Sequence, residues 1–231
     1  YRMITGVDQA MGRVLDELAL LGLDGDTVII FSSDNGYYLG ARGFAGKWSH
    51  YEESLRVPLV IHDPRREPAD RGRSTDAIAL NMDIPATILD IAGVDAPAEM
   101  QGRSLVPLLR GEDSGDWRTS VYYHYYEYPA VHSVRRHYGV RTERYKLIHY
   151  YNLGEWELFD VETDPDELIN LYDDSTHGDV LAELKAELVR LRELYTVPEI
   201  DPDVEAEFNP LQESSGSDLR GPLQALRELR N

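Results

Sequence analysis

One stretch near the start of the chain combines hard oxygen side chains, glycines and a lysine. Residues 27–33 form a short apolar run rich in β-branched residues, which predicts a buried strand, and the turn Asp34-Asn35-Gly36 follows it. Ligands of open α/β sheets bind beyond the carboxyl ends of the strands. A carboxylate beside an amide oxygen suits Ca²⁺ or Mg²⁺, and Lys47, after a glycine-rich loop, offers a compact charge for an anion. The alternative is an ordinary turn beside a surface lysine.

A second group of donors lies among tyrosines between residues 122 and 138. It comprises His124, His132, Arg135, Arg136 and His137. Tyrosine rings stack on sugars, while histidine and arginine bind hydroxyls or carboxylates. We predict sugar binding by Arg136 and His137, with an aromatic ladder and solvated basic residues as the alternative. For His124 and His132 we favour that structural interpretation, a cross-strand aromatic ladder. The spacing of these histidines does not indicate zinc.

Composition limits the class of protein. The chain has 231 residues and a net charge of −19, which argues against nucleic acid as a partner because such binding neutralises phosphates. A local basic cluster or a metal still permits an anionic substrate. No apolar run approaches the ~20 residues that a membrane span requires. The sequence has no cysteine, so it forms no disulfide, and the redox compartment stays open.

The first half of the chain alternates helices and strands. Helical spacing predicts an amphipathic helix over 1–21 that packs on a sheet, and strands follow at 27–33 and 56–62. A further helix is predicted over 81–93, with Asp83 as its cap. This alternation predicts an α/β fold for residues 1–115.

The pattern changes after residue 115. Strands are predicted at 120–126, 138–141, 145–151 and 155–161, joined mostly by short turns, and an amphipathic helix is predicted over 180–195. Residues 116–197 are therefore expected to form a small antiparallel four-stranded sheet with a packed helix. Residues 198–231 are acidic and are expected to be a weakly structured tail.

Several motifs together resemble one known family. They are SSDNGYYLG with GKW and YEESLRVPLVI, and later DIPATILD, MQGRSL, VRTERYKLI and ELFD. In this order, over residues 1 to about 197, they resemble the second half of the sulfatase family, within the alkaline-phosphatase-like superfamily. The resemblance implies the C-terminal part of that α/β domain, followed by the small antiparallel sheet.

The resemblance also implies roles for individual residues. By position, Asp34 and Asn35 would bind the active-site divalent cation, Ca²⁺ or alternatively Mg²⁺, and Lys47 would contact the sulfate. Residues 122–129 and 134–139 look most like bacterial N-acetylglucosamine-6-sulfatases and mucin-desulfating sulfatases. The implied substrate is a sulfated carbohydrate of a glycan.

Two departures from the family pattern bear on activity. Many relatives have Glu-His where this chain has Ala41-Arg42. The family nucleophile is a formylglycine made from Cys or Ser in a Cys/Ser-x-Pro/Ala-x-Arg motif, and neither this motif nor the first pair of metal-binding aspartates occurs here. We therefore expect a C-terminal fragment of a longer protein, inactive without the N-terminal half that would carry the formylglycine. Family habit suggests export to the periplasm or the cell exterior.

Two other functions remain open from the sequence. One is a phosphoester or phosphonate monoester hydrolase of the same superfamily. The other is a truncated, inactive glycan-binding module, which the missing nucleophile supports for the chain as given.

Overall fold

The computed structural model of the protein describes residues 2–68, 71–112, 115–128 and 132–198. The chain forms two compact units. The first unit contains the residues up to Lys47 together with 51–119, and the second contains 48–50 and the residues from Ser120 onward. Apart from residue 198, the tail predicted at 198–231 lies outside the described residues. The domain boundary predicted after residue 115 stays a prediction.

The first unit contains a short antiparallel ribbon and several helices. Its elements are α1 (Arg2–Leu20), β1 (Ile29–Ser32), α2 (Glu52–Leu55), β2 (Leu59–His62), α3 (Asp83–Ile91) and α4 (Val106–Arg110). β1 pairs with β2, with Ile30 opposite Ile61. β2 begins directly after Pro58, whose missing N–H cannot join the ladder. The predicted strands and helices are present in a mixed α/β fold, with shorter boundaries than expected.

The apolar stripe of α1 is exposed among the described residues. Met3 is 85% exposed, Ile4 63% and Val14 61%, and no residue of the helix is buried. The sequence predicted that this stripe packs on a sheet, and the described residues provide no such cover. Every described helix is also too short or too polar to span a bilayer.

Asp83 does not cap α3 in the way that the sequence suggested. It is the first residue of the helix and is fully buried. Its carboxylate accepts hydrogen bonds from the Leu80 N–H at 2.7 Å and the Arg103 N–H at 2.8 Å, and it pairs with the Arg118 guanidinium. A cap would instead accept an N–H from its own helix. Asp83 therefore joins the segments before and after α3.

The second unit is the antiparallel sheet that the sequence predicted. Its strands are β3 (Ser120–Tyr125), β4 (His137–Thr142), β5 (Tyr145–Tyr150) and β6 (Glu155–Asp160), in the order β3-β4-β5-β6. The helix α5 (Gly178–Leu194) packs on one face of the sheet. The core joins three strand residues to three helix leucines: Val140, Leu147, Leu158, Leu184, Leu188 and Leu191.

The second unit also buries an ion pair. Lys146 Nζ lies 2.5 Å from Glu167 Oε1, and both side chains are completely buried. Lys146 precedes Leu147 on β5, so it lies on the sheet face opposite the α5 core. Because buried charges are expensive unless they are paired, this pair fixes the turn that contains Glu167 to the sheet.

Candidate functional site

The carboxyl end of β1 leads into a turn held by its own side chains. The Ser33 hydroxyl donates to the Asn35 carbonyl at 2.9 Å, and the Asn35 N–H donates to Asp34 Oδ1 at 3.0 Å. The Asn35 side-chain amide donates to the Gly36 carbonyl at 2.7 Å. This last bond sets the orientation of the Asn35 amide, because its nitrogen faces a carbonyl and its oxygen is left for a donor or a cation.

The following loop returns Lys47 to this turn. The Tyr38 N–H donates to the Gly46 carbonyl at 2.8 Å and closes the loop. The Lys47 ammonium donates to Asn35 Oδ1 and lies 3.8 Å from Asp34 Oδ2. The Asp34 side chain is 86% exposed and that of Lys47 33%. The structure thus brings together the three residues that the sequence singled out in this stretch.

The arrangement has the chemistry of part of a hard-cation site. Two oxygen atoms, one from a carboxylate and one from an amide, already face a positive charge. Calcium takes six to eight oxygen ligands, so Asp34 and Asn35 supply only part of a coordination shell. Among the described residues, no cluster of three or more His, Cys, Asp or Glu side chains could hold a metal ion. The metal role of Asp34 and Asn35 stays a prediction.

Gly36 permits a close backbone approach to α2. Its N–H donates to the Ser54 carbonyl at 2.8 Å, and a Cβ atom there would clash with the Glu53 carbonyl oxygen. Any side chain at position 36 would therefore push the turn away from α2.

Arg42, one of the departures from the family pattern, packs within the same loop. Its guanidinium pairs with the Glu53 carboxylate at 3.1 Å and lies 4.5 Å from the centre of the Tyr51 ring. Glu53, the second residue of α2, therefore pairs with Arg42. The pair fastens the glycine-rich loop to α2.

Sequence reasoning missed one polar contact to the turn. The Asn81 side-chain amide donates to the Ser33 carbonyl at 3.2 Å and to the Asp34 carbonyl at 2.9 Å. The pattern treated Asn81 only as the beginning of a helix, because nothing local indicates a contact across 47 residues. An asparagine at the start of a predicted helix, two residues before an aspartate, was the available signal.

The predicted sugar-binding residues lie in the second unit. His137 is fully buried, and its Nδ1–H donates to the Arg135 carbonyl at 2.7 Å, since a carbonyl can only accept. Burial lowers the pKa of His137, so the ring is neutral at pH 7 and Nε2 is an acceptor. Arg136 donates to the Tyr128 carbonyl at 3.2 Å. The sugar-binding role of both residues stays a prediction.

A second buried histidine packs beside His137. The His50 ring is completely buried, 4.4 Å from the Tyr123 ring and 6.3 Å from the His137 ring. Burial, with a smaller contribution from Lys146, holds the pKa of His50 well below its ordinary value. A Cβ atom on Gly139 would lie 2.8 Å from this ring, so glycine makes room for it. His50 is therefore a neutral interior residue.

The other two histidines of the donor group, His124 and His132, have aromatic contacts. His124 stacks on Tyr126, with ring centres 3.6 Å apart, and contacts the edge of Tyr138. Burial lowers the pKa of His124 to about 4. His132 stacks on Trp48 at 3.5 Å. The contact of His124 with Tyr138 joins opposite residues of β3 and β4, as in a cross-strand ladder. The contact of His132 with Trp48 lies outside the strands.

The chain matches one family model over most of its length. The model described as "N-sulphoglucosamine sulphohydrolase, C-terminal" matches residues 40–194. An N-acetylglucosamine-6-O-sulfatase of Bacteroides thetaiotaomicron is 42% identical over 203 residues, which cover 87% of this chain and 36% of that protein. The multifunctional alkaline phosphatase superfamily protein PehA of Trinickia caryophylli is 34% identical, over 76% of this chain and 36% of that protein.

Solved structures show the same relationship. A structure described as BT4656 in complex with its substrate D-glucosamine-2-N,6-O-disulfate has a TM-score of 0.81 and 42% identity, over 87% of this chain and 40% of that one. The phosphonate monoester hydrolase of Agrobacterium radiobacter has a TM-score of 0.75 and 29% identity, over 84% of this chain and 40% of that one. The chain thus spans less than half the length of the relatives that it matches.

Proposed function

We propose, on the premise that the chain belongs to the N-sulphoglucosamine sulphohydrolase C-terminal family, that the protein carrying it is a sulfuric ester hydrolase. The observation that supports this most directly is the grouping of Asp34, Asn35 and Lys47 at the carboxyl end of β1. The two oxygens can bind a metal cation, and this cation together with the ammonium can bind an anionic group of the substrate.

Lys47 binds the sulfate in this proposal. Hydrolysis of a sulfate ester needs positive charge at the non-bridging oxygens while the S–O bond breaks. A fixed ammonium supplies this charge without rearrangement of solvent. The loop closed between Tyr38 and Gly46 returns Lys47 to the turn, so its ammonium lies beside the two proposed cation ligands.

Asp34 and Asn35 hold a divalent cation, Ca²⁺ in our proposal, through Asp34 Oδ and Asn35 Oδ1. When bound, such a cation supplies Lewis-acid stabilisation of sulfate oxygens. Sulfatase relatives imply a metal and a formylglycine in general. The 231 residues contain no cysteine, and no serine begins the Ser-x-Pro/Ala-x-Arg motif. The nucleophile and the remaining metal ligands are therefore proposed to come from outside these residues.

The substrate proposed is a sulfated glucosamine within a glycan. The 42% identical relative is named an N-acetylglucosamine-6-O-sulfatase, and the structure of BT4656 holds a glucosamine disulfate as its substrate. His137 and Arg136 are proposed to bind the sugar. His137 is neutral, and its buried Nε2 has no hydrogen-bond partner among the described residues, so a sugar hydroxyl that donates to it would first have to displace the groups that cover it.

A phosphonate monoester hydrolase is the second candidate. It is supported by the fold match to the Agrobacterium radiobacter enzyme and by the 34% identity to PehA. Both ester classes present an anionic tetrahedral group, so the cation site alone does not distinguish them. An inactive glycan-binding module is the non-enzymatic alternative.

The test uses the protein as its native host makes it, with its intact mass measured first. We expect sulfate release from 6-sulfated glucosamine sugars to exceed turnover of a phosphonate monoester. Lys47→Ala should lower kcat by about 10²–10³-fold, the usual effect of removing one group that stabilises developing charge. Asp34→Ala should lower it at least as much. Asp24→Ala, at an exposed position before β1, is the matched control and should leave kcat unchanged.

Other outcomes would select the alternatives. Faster turnover of the phosphonate, with the same sensitivity to Lys47→Ala, would support the second candidate. A native product that binds the sugar but releases neither sulfate nor phosphonate would support the binding module.

A further inference from the structure

We propose that Asn81 is a positioning residue that sets the direction of the Asp34 and Asn35 side chains toward their cation. The inference rests on the proposed function, because it takes these two residues as metal ligands. Asn81 itself contacts only the backbone of the turn in the bonds described, so it acts through Asp34 and Asn35.

The two hydrogen bonds of Asn81 fall on both sides of Asp34. One reaches the Ser33 carbonyl at 3.2 Å, which belongs to the peptide group before the Asp34 Cα. The other reaches the Asp34 carbonyl at 2.9 Å, which belongs to the peptide group after it. A peptide group is planar, so holding both carbonyls fixes φ and ψ of Asp34 and with them the direction of its Cβ.

The same bonds reach Asn35. The peptide group after Asp34 contains the Asn35 N–H, which donates to Asp34 Oδ1 at 3.0 Å. Fixing this group therefore also fixes the contact between the two proposed ligands. One amide nitrogen thus holds the backbone from which both side chains begin.

Asn81 stands on a segment that is itself held firmly. Leu80 and Asp83 exchange hydrogen bonds, with the Leu80 N–H on the buried carboxylate and the Asp83 N–H on the Leu80 carbonyl at 2.9 Å. The Trp117 indole donates to the Ile78 carbonyl at 2.8 Å. The buried pair of Asp83 with Arg118 therefore supports the base from which Asn81 reaches the turn.

The second unit offers a matched control. Asn170 also bridges backbone groups: it donates to the Trp156 carbonyl at 3.1 Å and accepts from the Leu158 and Tyr172 N–H groups at 3.0 Å. Its replacement removes comparable hydrogen bonds at a place with no proposed ligand. A general loss of stability is thereby separated from a loss of positioning.

The experiment titrates Ca²⁺ into the metal-stripped native-length protein by calorimetry. Residues that orient metal ligands typically contribute 10–100-fold to metal affinity. We expect Asn81→Ala, and the near-isosteric Asn81→Leu, to raise the Kd for Ca²⁺ about 10–100-fold. Asn170→Ala should lower the unfolding temperature of the metal-free protein without changing this Kd. Saturating Ca²⁺ should restore most activity to the Asn81 variants but not to Asp34→Ala.

Two results would overturn the inference about Asn81, and only the second would also overturn the proposed metal site. If both Asn81 variants bind Ca²⁺ within twofold of the unchanged protein while Asp34→Ala does not bind it, Asn81 is not a positioning residue and the metal site stands. If Asp34→Ala binds Ca²⁺ normally, the proposed metal site is wrong and the inference about Asn81 is wrong with it.

Discussion

The two units of the molecule are stabilised in different ways. The second unit buries an apolar core in which strand residues Val140, Leu147 and Leu158 meet leucines of α5. The first unit uses buried hydrogen bonds, with Asp83 and Thr87 fully buried, and leaves the stripe of α1 in solvent. Asp34, Asn35 and Lys47 all belong to the first unit.

This difference indicates how the site is held in place. Packing of apolar side chains is not directional, whereas a carboxylate that meets several donors also fixes the direction of each group that it binds. Binding residues are commonly drawn from the less stable parts of a structure. In the first unit, polar bonds between loops supply the order that an apolar core supplies in the second.

The largest effect is expected from breaking the buried ion pair of the second unit. Glu167→Gln leaves the Lys146 ammonium buried without its carboxylate, and loss of one partner of such a pair costs about 3–5 kcal/mol. Hydrogen exchange of the β5 amides measures this loss. The control is Glu162→Gln, since Glu162 is 69% exposed and pairs with Arg144 at the surface. That change should cost less than about 1 kcal/mol. Equal losses of stability for Glu167→Gln and Glu162→Gln would contradict the prediction, because the buried pair would then contribute no more than the surface pair.

A smaller effect is expected from truncating a leucine in the core of the second unit. Leu188→Ala, at a position only 4% exposed, should destabilise the unit by about 2–5 kcal/mol because it leaves a cavity. The corresponding change in the first unit is Leu20→Ala, at a position 79% exposed, and it should stay within about 0.5 kcal/mol. Hydrogen exchange of the β5 amides measures the loss of stability for Leu188→Ala, and that of the α1 amides measures it for Leu20→Ala. A loss above about 1 kcal/mol for Leu20→Ala would contradict the exposure of α1.

The smallest effect concerns acid sensitivity. Burial, then the charges of Lys185 and Arg192, lowers the pKa of His149 to about 4, against about 6.5 in the unfolded chain. The unfolded state binds the proton first, so stability is full above pH 6.5 and is lost as the pH falls toward 4. His149→Phe keeps a ring on Trp156 and should make the loss of stability between pH 7 and 5 smaller. An unchanged pH dependence, measured by urea unfolding, would contradict this assignment.

Local patterns predicted the second unit well. The strands expected at 120–126 and 145–151 occur at Ser120–Tyr125 and Tyr145–Tyr150, and the helix expected over 180–195 occurs at Gly178–Leu194. Alternation, short turns and a leucine stripe are properties of neighbouring residues, so the sequence displays them directly. Asp34, Asn35 and Lys47 were singled out by the turn after the predicted strand and by the resemblance of the whole stretch to the sulfatase family.

Contacts between distant residues could not be predicted in this way. The cap expected at Asp83 follows a local rule, but the donors on Arg103 and Arg118 decide where its carboxylate points. The pairing of Lys146 with Glu167 depends on how a turn folds back onto the sheet. Asn81 reaches the turn across 47 residues. No periodicity encodes such side-chain pairs.

During synthesis, the loop between Asn35 and Lys47 can close before Asn81 has been added to the chain. A loop of about ten residues closes in about 10–100 ns, far faster than the ribosome adds a residue. Asp34, Asn35 and Lys47 can therefore meet as soon as Lys47 has emerged. Asn81 follows 34 residues later in the chain, which is about 2–7 s at about 5–20 residues per second. During this interval the turn lacks the two hydrogen bonds that Asn81 donates to it.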